Sequence, residues 1–188
     1  MQFFRTFACV TLLGVAAPVT AQTADWSGFY AGGQIETASV TMETSGGSET
    51  HDGNGLMIGV TGGYRFDLGN VVMGATGGAQ FGSVDVSPTS PSVLPDPTLN
   101  TLLRAGIELG YDLGPVLVTG GVGQTFAIMT DETDERESEF GSYFALGADY
   151  MLNEDIMVGA EVTRTILNNF GSSDVRATSV GIGAAYRF

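Results

Sequence analysis

The sequence predicts an all-β fold: an eight-stranded antiparallel up-and-down β-barrel that crosses a membrane with its strands. Three observations carry this. Apolar and polar residues alternate with a period of two in eight successive blocks after residue 25. The links between blocks alternate between long and short. The polar series of the blocks is rich in Gly, Ser and Thr, whereas the apolar series is aliphatic with aromatic residues toward its ends.

Composition narrows the function classes. The 188 residues include 28 Gly, about twice the usual share of roughly 7%. There are 21 Asp and Glu against 7 basic residues, all of them Arg, for a formal charge of −14. Nucleic-acid binding is excluded, because it needs a clustered cationic footprint on phosphate. Attachment to an anionic membrane surface through a polybasic segment is excluded on the same ground. At 43% hydrophobic residues and a mean hydropathy of +0.17, the chain is too apolar for a disordered acidic protein.

The N-terminal segment reads as a targeting signal. Arg5 supplies a positive start, an uncharged apolar run follows from Phe7 to Ala17, and Val19-Thr20-Ala21 is a small-residue cleavage signature. The run is well short of the roughly 20 residues of a spanning helix. The expectation is a signal peptide over 1–21 and an outer-membrane barrel domain over 22–188, with Gln22 the mature start. Cys9 precedes most of the apolar run, so it does not suit lipid attachment, and its removal leaves a mature chain without cysteine.

The blocks follow in order. In the first, Phe29, Ala31, Gly33 and Ile35 oppose Tyr30, Gln34 and Glu36. The second sets Leu56, Ile58, Val60, Tyr64 and Phe66 against Gly59, Thr61, Gly63 and Arg65, and the third sets Met73, Ala75, Ala79 and Phe81 against Thr76 and Gln80. The fourth opposes Leu103, Ala105, Ile107, Leu109 and Tyr111 to Arg104, Gly106, Glu108 and Gly110. The fifth, Val116 to Met129, is irregular because Gln124 falls in the apolar series, which a bulge or strand end there would explain. The sixth places Phe144, Leu146, Ala148 and Tyr150 against Gly147 and Asp149. The seventh places Ile156, Val158, Ala160 and Val162 against Glu161 and Thr163. The eighth alternates Val180, Ile182, Ala184, Tyr186 and Phe188 with Ser179, Gly181, Gly183, Ala185 and Arg187.

Short links at 67–70, 112–115 and 153–155 carry the Gly, Asn, Asp and Pro of tight turns. Long links are expected at 43–54, 87–98, 131–138 and 167–174. All short turns then lie at one end of the barrel and all long loops at the other, as in outer-membrane barrels. Aromatic position decides which face meets lipid. Phe29, Tyr64, Phe66, Tyr111 and Tyr150, with Tyr186 and Phe188, cluster at the short-turn end of the apolar series, and Phe81, Phe126 and Phe144 lie toward the other. Two aromatic girdles around an aliphatic band are what two membrane interfaces select. The apolar face is therefore expected outward and the Gly-rich polar face inward.

The stretch Asp25-Trp26-Ser27-Gly28-Phe29-Tyr30-Ala31-Gly32-Gly33 resembles the opening strand of the small porin-like outer-membrane surface proteins of α-proteobacteria, which share the eight-stranded OmpA- and OmpX-type architecture. The ending Tyr186-Arg187-Phe188 is similar to the signal read by the barrel assembly machinery. The resemblance implies residence in the bacterial outer membrane among lipid and lipopolysaccharide, as a monomer. The function it implies is structural or surface-interacting, in envelope integrity or adhesion. A narrow porin-like channel and, more remotely, a lipid A-modifying enzyme are the alternatives.

Inward ionisable residues must be paired to be tolerated. Arg65, Arg104 and Arg187 are expected to pair with Glu36, Glu108, Asp149 and Glu161 in a polar network that plugs the lumen, since eight strands leave little open cross-section. The acidic run 131–139 lacks the spacing of a calcium loop and reads as a solvated surface loop. The Pro-rich link, with Pro88, Pro91, Pro95 and Pro97, reads as extended and semi-rigid. His51, beside Asp52 and near Ser45 and Ser48, is the one His, and neighbours in a loop do not make a catalytic set. No catalytic residue, cofactor or metal site is expected.

Overall fold

The computed structural model describes residues 24–44, 50–88, 98–130, 136–170 and 173–188. The expected signal peptide, Ser45, Ser48, and most of the Pro-rich and acidic loops lie outside the described residues. Eight strands run β1 (Gly28–Thr44), β2 (Thr50–Asp67), β3 (Val71–Pro88), β4 (Thr98–Asp112), β5 (Val116–Thr130), β6 (Arg136–Met151), β7 (Ile156–Phe170) and β8 (Ser173–Arg187). Each pairs antiparallel with its sequence neighbour, and β8 returns to β1 to close the barrel. Closure removes the sheet edge, whose unpaired backbone groups lipid cannot satisfy.

The short turns are built as their residues dictate. Gly69 and Gly114 adopt positive φ (99° and 88°), and each donates its amide to the aspartate two residues earlier, at 2.8 Å to Asp67 and 2.6 Å to Asp112. Asn153 Oδ1 accepts from the amides of Asp155 (3.0 Å) and Ile156 (2.8 Å) in the third turn.

Alternation places the apolar series outward. Ile58, Ile107, Leu146 and Ile182 are all more than half exposed, as a lipid-facing belt requires. The same register turns Tyr30, Glu36, Arg65, Gln80 and Arg104 inward, where they are buried.

Three expectations need correction. The strands run beyond the blocks, so the long links are shorter than expected. His51 and Asp52 belong to β2, where they pair with Met42 and Thr41, and 167–174 is nearly all strand. Polar residues continue the ladder above the lipid belt, and a sequence reading that stops at the last apolar residue misses them. Gln124 sits at no bulge: it pairs continuously with Ala105 and Ser142 and points outward. The register shifts lie instead between Phe81 and Val84, Leu99 and Thr101, and Leu167 and Phe170. Finally, the interior is not uniformly polar. Apolar side chains fill both of its ends.

Candidate functional site

The lumen is organised in layers along the barrel axis. At the short-turn end, Trp26, Tyr30, Val72, Leu117 and Met157 converge from the N-terminal segment and four different strands into one buried cluster. At the long-loop end a second cluster joins Ala38, Val40, Met57, Val84, Leu102, Ala127, Leu167 and Val175, contributed by seven of the eight strands. Between them lie two charged groups and a cavity of about 110 Å³.

The lower charged group centres on Arg65 of β2. Its guanidinium holds Glu108 of β4 through two bonds (Nε to Oε1 2.8 Å, Nη2 to Oε2 3.2 Å) and Asp149 of β6 through a third (Nη2 to Oδ2 2.7 Å). The two-point contact is the strong geometry for Arg and carboxylate. The Tyr30 ring covers the guanidinium at 4.6 Å from its centroid, and the Tyr30 hydroxyl donates to Glu108 Oε1 (3.2 Å) and lies 3.0 Å from Thr76 Oγ1. Gly74 faces this group because a Cβ there would stand 2.8 Å from Glu108 Oε1.

The upper group centres on Arg104 of β4. Its Nη2 donates to Glu36 of β1 (3.2 Å), and its Nη1 donates to Thr163 Oγ1 (2.9 Å) and Glu161 Oε1 (3.3 Å) of β7. Thr163 in turn donates to Glu161 (2.8 Å), while Gln34 and Ser179 stand 3.4 Å from Glu36 Oε2. Gln80 lines the cavity, 1% exposed, and its Oε1 has no protein partner among the described residues.

The structure thus brings together six of the seven residues expected in the interior network, as two separate groups. Arg187 stands apart. Its guanidinium lies at the base of the barrel and donates to the backbone carbonyls of Asp25, Ser27 and Glu154. It is the last residue of β8, past the level at which an inward side chain meets the lumen, so it clamps the N-terminal segment instead. Trp26 was not singled out as a site residue, yet it plugs the base: its amide donates to Asp67 Oδ2 (3.1 Å) and its indole to Asp112 Oδ1 (3.2 Å). Its signal in the sequence is a lone Trp just before the first alternating block.

Phe29, Tyr64 and Phe66 stack on the outer wall at the short-turn end, with centroids 4.6 and 4.5 Å apart, and Tyr111 and Tyr150 are exposed there. Tyr186 and Phe188 pair at 5.1 Å. Toward the long-loop end Phe126 meets Phe140 at 4.9 Å. The side chains of His51 and Asp52 lie outside the described residues. Among the described residues no group of three or more His, Cys, Asp or Glu side chains is placed to hold a metal.

The family model for the outer membrane protein β-barrel domain matches residues 7–188. Among solved structures, the chain is similar to Neisserial surface protein A, with a TM-score of 0.62 and 17% identity over 86% of this chain and 98% of that one. It is likewise similar to the outer membrane protein OprG of Pseudomonas aeruginosa, with a TM-score of 0.57 and 18% identity over 86% and 96%. A third is Ail, the attachment invasion locus protein of Yersinia pestis, solved with the heparin analogue sucrose octasulfate, at 0.53 and 16% over 86% and 99%. No curated protein matches.

Proposed function

Since the chain belongs to the outer membrane protein β-barrel family, we propose that it is a non-catalytic barrel of the bacterial outer membrane with a structural and surface-interacting role, and not a channel or a lipid A-modifying enzyme. The observation that carries this reading is the double closure of the lumen. Apolar clusters above and below the charged layers fill the lumen at both ends and confine the charged side chains to its middle. Ion pairs there hold the strands across the barrel, which is what a structural interior does.

Surface interaction then belongs to the long-loop end. The acidic run 131–139 sets the chemistry of that surface: it favours basic or neutral partners over polyanions. The opening Asp25–Gly33 supports placing the chain with the α-proteobacterial porin-like surface proteins. Residues 1–21 direct export and are then removed, so sequencing of the mature N-terminus should read from Gln22.

Conductance in a planar bilayer separates the structural reading from the narrow channel. Purified folded protein should be silent. Reproducible single-channel steps that disappear in Glu108→Ala would replace this reading with the channel.

A further inference from the structure

The charged layers of the lumen do not balance. Among the described residues, four carboxylates (Glu36, Glu108, Asp149 and Glu161) and two guanidiniums (Arg65 and Arg104) line the cavity. Each arginine serves two acids, so each group keeps one negative charge in excess. Inside a wall surrounded by lipid, a charge without a partner is costly.

Geometry places that excess. The side chains of Glu36 and Glu108 are mostly shielded, whereas those of Asp149 and Glu161 are 23% and 45% exposed. Arginine meets Asp149 through Oδ2 alone and Glu161 through Oε1 alone, so each acid has a second oxygen for another partner. The two acids are neighbours. Asp149 of β6 stands opposite Gly159 of β7, and Glu161 of β7 stands opposite Gly147 of β6. They form a diagonal across the strand pair, about 7–8 Å long. The residue facing each acid is a glycine, which puts no side chain into the cavity that all four residues line.

A second observation points to the same space. Gln80 of β3 is buried, and its Oε1 has no partner among the described residues. Its Nε2 lies 3.4 Å from the Cβ that a side chain at Gly78 would carry, so the amide bends toward the short-turn end and into the cavity it lines. A buried acceptor in this position calls for a donor or a cation.

From these two observations we infer that the lumen binds one hydrated divalent cation of the magnesium type, seated between Asp149 and Glu161, whose water supplies the donor that Gln80 Oε1 lacks. One such ion matches the excess of two charges. Oxygen partners select a hard cation. Among the described residues no three acidic side chains converge, so the many-oxygen protein shell that calcium takes is not formed. Magnesium instead keeps several waters and needs one or two carboxylates. The cavity of about 110 Å³ has room for the ion with such waters. Water by itself would satisfy Gln80 and leave the charge, and an anion would be repelled. This inference rests on the interior alone, so it stands or falls separately from the role assigned to the loops.

The test uses the folded protein in micelles of a zwitterionic detergent at neutral pH. The probe is Mn²⁺, a hard cation with the same octahedral oxygen preference, whose free concentration is read by electron paramagnetic resonance. The folded state of each variant is verified by heat-modifiable gel mobility. The wild type should bind one Mn²⁺ that Mg²⁺ displaces. Loss of a group that holds a metal's shell costs about 10–100-fold in affinity, so D149N/E161Q should bind this ion about 100-fold more weakly and Q80L about tenfold. E132Q/E135Q, in the acidic run, should leave it in place. Should the double variant fail to fold, D149N and E161Q singly, each at about a tenfold loss, decide the question. A wild type that binds no Mn²⁺ would overturn the inference, the excess then resting on protonated carboxylates. Equal binding by wild type and D149N/E161Q would overturn it too, as would an equal loss in E132Q/E135Q.

Discussion

Arg65 shows what a single side chain does in this interior. It is the one cation serving both Glu108 and Asp149, and all three side chains are mostly shielded from water. Removing one partner of a buried ion pair costs about 3–5 kcal/mol, because the other charge is left uncompensated. Arg65→Met should therefore lower the unfolding free energy by about that amount, read from urea titrations in micelles. Arg65→Met/Glu108→Leu should recover the share of the loss that comes from Glu108, because apolar replacement of both members of a pair is often neutral, while Asp149 stays uncompensated. A double variant no better than the single would mean that the pair itself carries net stability. Arg104→Met should cost less, since the side chain of its partner Glu161 is 45% exposed. At the rim, Asp25 is held below the ordinary carboxylate range by the Ser27 amide, with the Ser27 hydroxyl and Arg187 adding to it. A lowered folded value means that this stabilisation is complete above the unfolded carboxylate's pKa and is lost as pH falls through the folded one. Asp25→Asn should remove that small acid-dependent component of the unfolding curve and leave neutral-pH behaviour close to wild type.

The N-terminal segment and the strand ends act together as one element. Trp26 turns into the lumen under Arg65, whose guanidinium lies 5.9 Å from its ring, and Arg187 of β8 fastens the carbonyls on either side of it. Trp26 is the one Trp of the chain, so its fluorescence reports on this closure alone. Emission should be blue-shifted in the folded barrel and unquenched by lipids brominated on their acyl chains, whereas a Trp on the outer wall would be quenched. Strong quenching would place Trp26 in lipid and remove the lower plug. The same region marks where sequence reading succeeds and where it stops. Alternation of the kind seen at Val180, Ile182 and Ala184 makes strand number, order and outward face legible, because a membrane wall forces a period of two. It cannot say which inward residues meet across the lumen. That depends on strand stagger, which sets Arg65 against Asp149 on a strand it does not pair with. Met57 and Leu102 are apolar residues in the inward series and form part of the upper plug. Arg187 has the right parity for the network but the wrong height. Gln124 looks like a defect only when the outer edge of the lipid band is unknown.

Closure of the whole barrel brings the first and last strands together at one seam. The Phe188 amide donates to the Phe29 carbonyl (2.8 Å) and the Arg187 amide to Asp155 (2.7 Å), while the Phe188 ring stands 76% exposed on the outer wall against Tyr186. Backbone and ring therefore have separable jobs. The backbone completes the β1–β8 seam, and the ring packs against little of the barrel beyond Tyr186. Phe188→Ala keeps every backbone bond and removes an exposed ring, so its cost in stability should be within about 0.5 kcal/mol, the usual range for surface changes. Refolding from urea into micelles should proceed as in the wild type. In cells the same variant should accumulate poorly in the outer membrane, measured as the heat-modifiable fraction of a membrane extract. Normal accumulation would show that the terminal ring is not a signal. Equal failure in cells and in micelles would assign it to the fold instead.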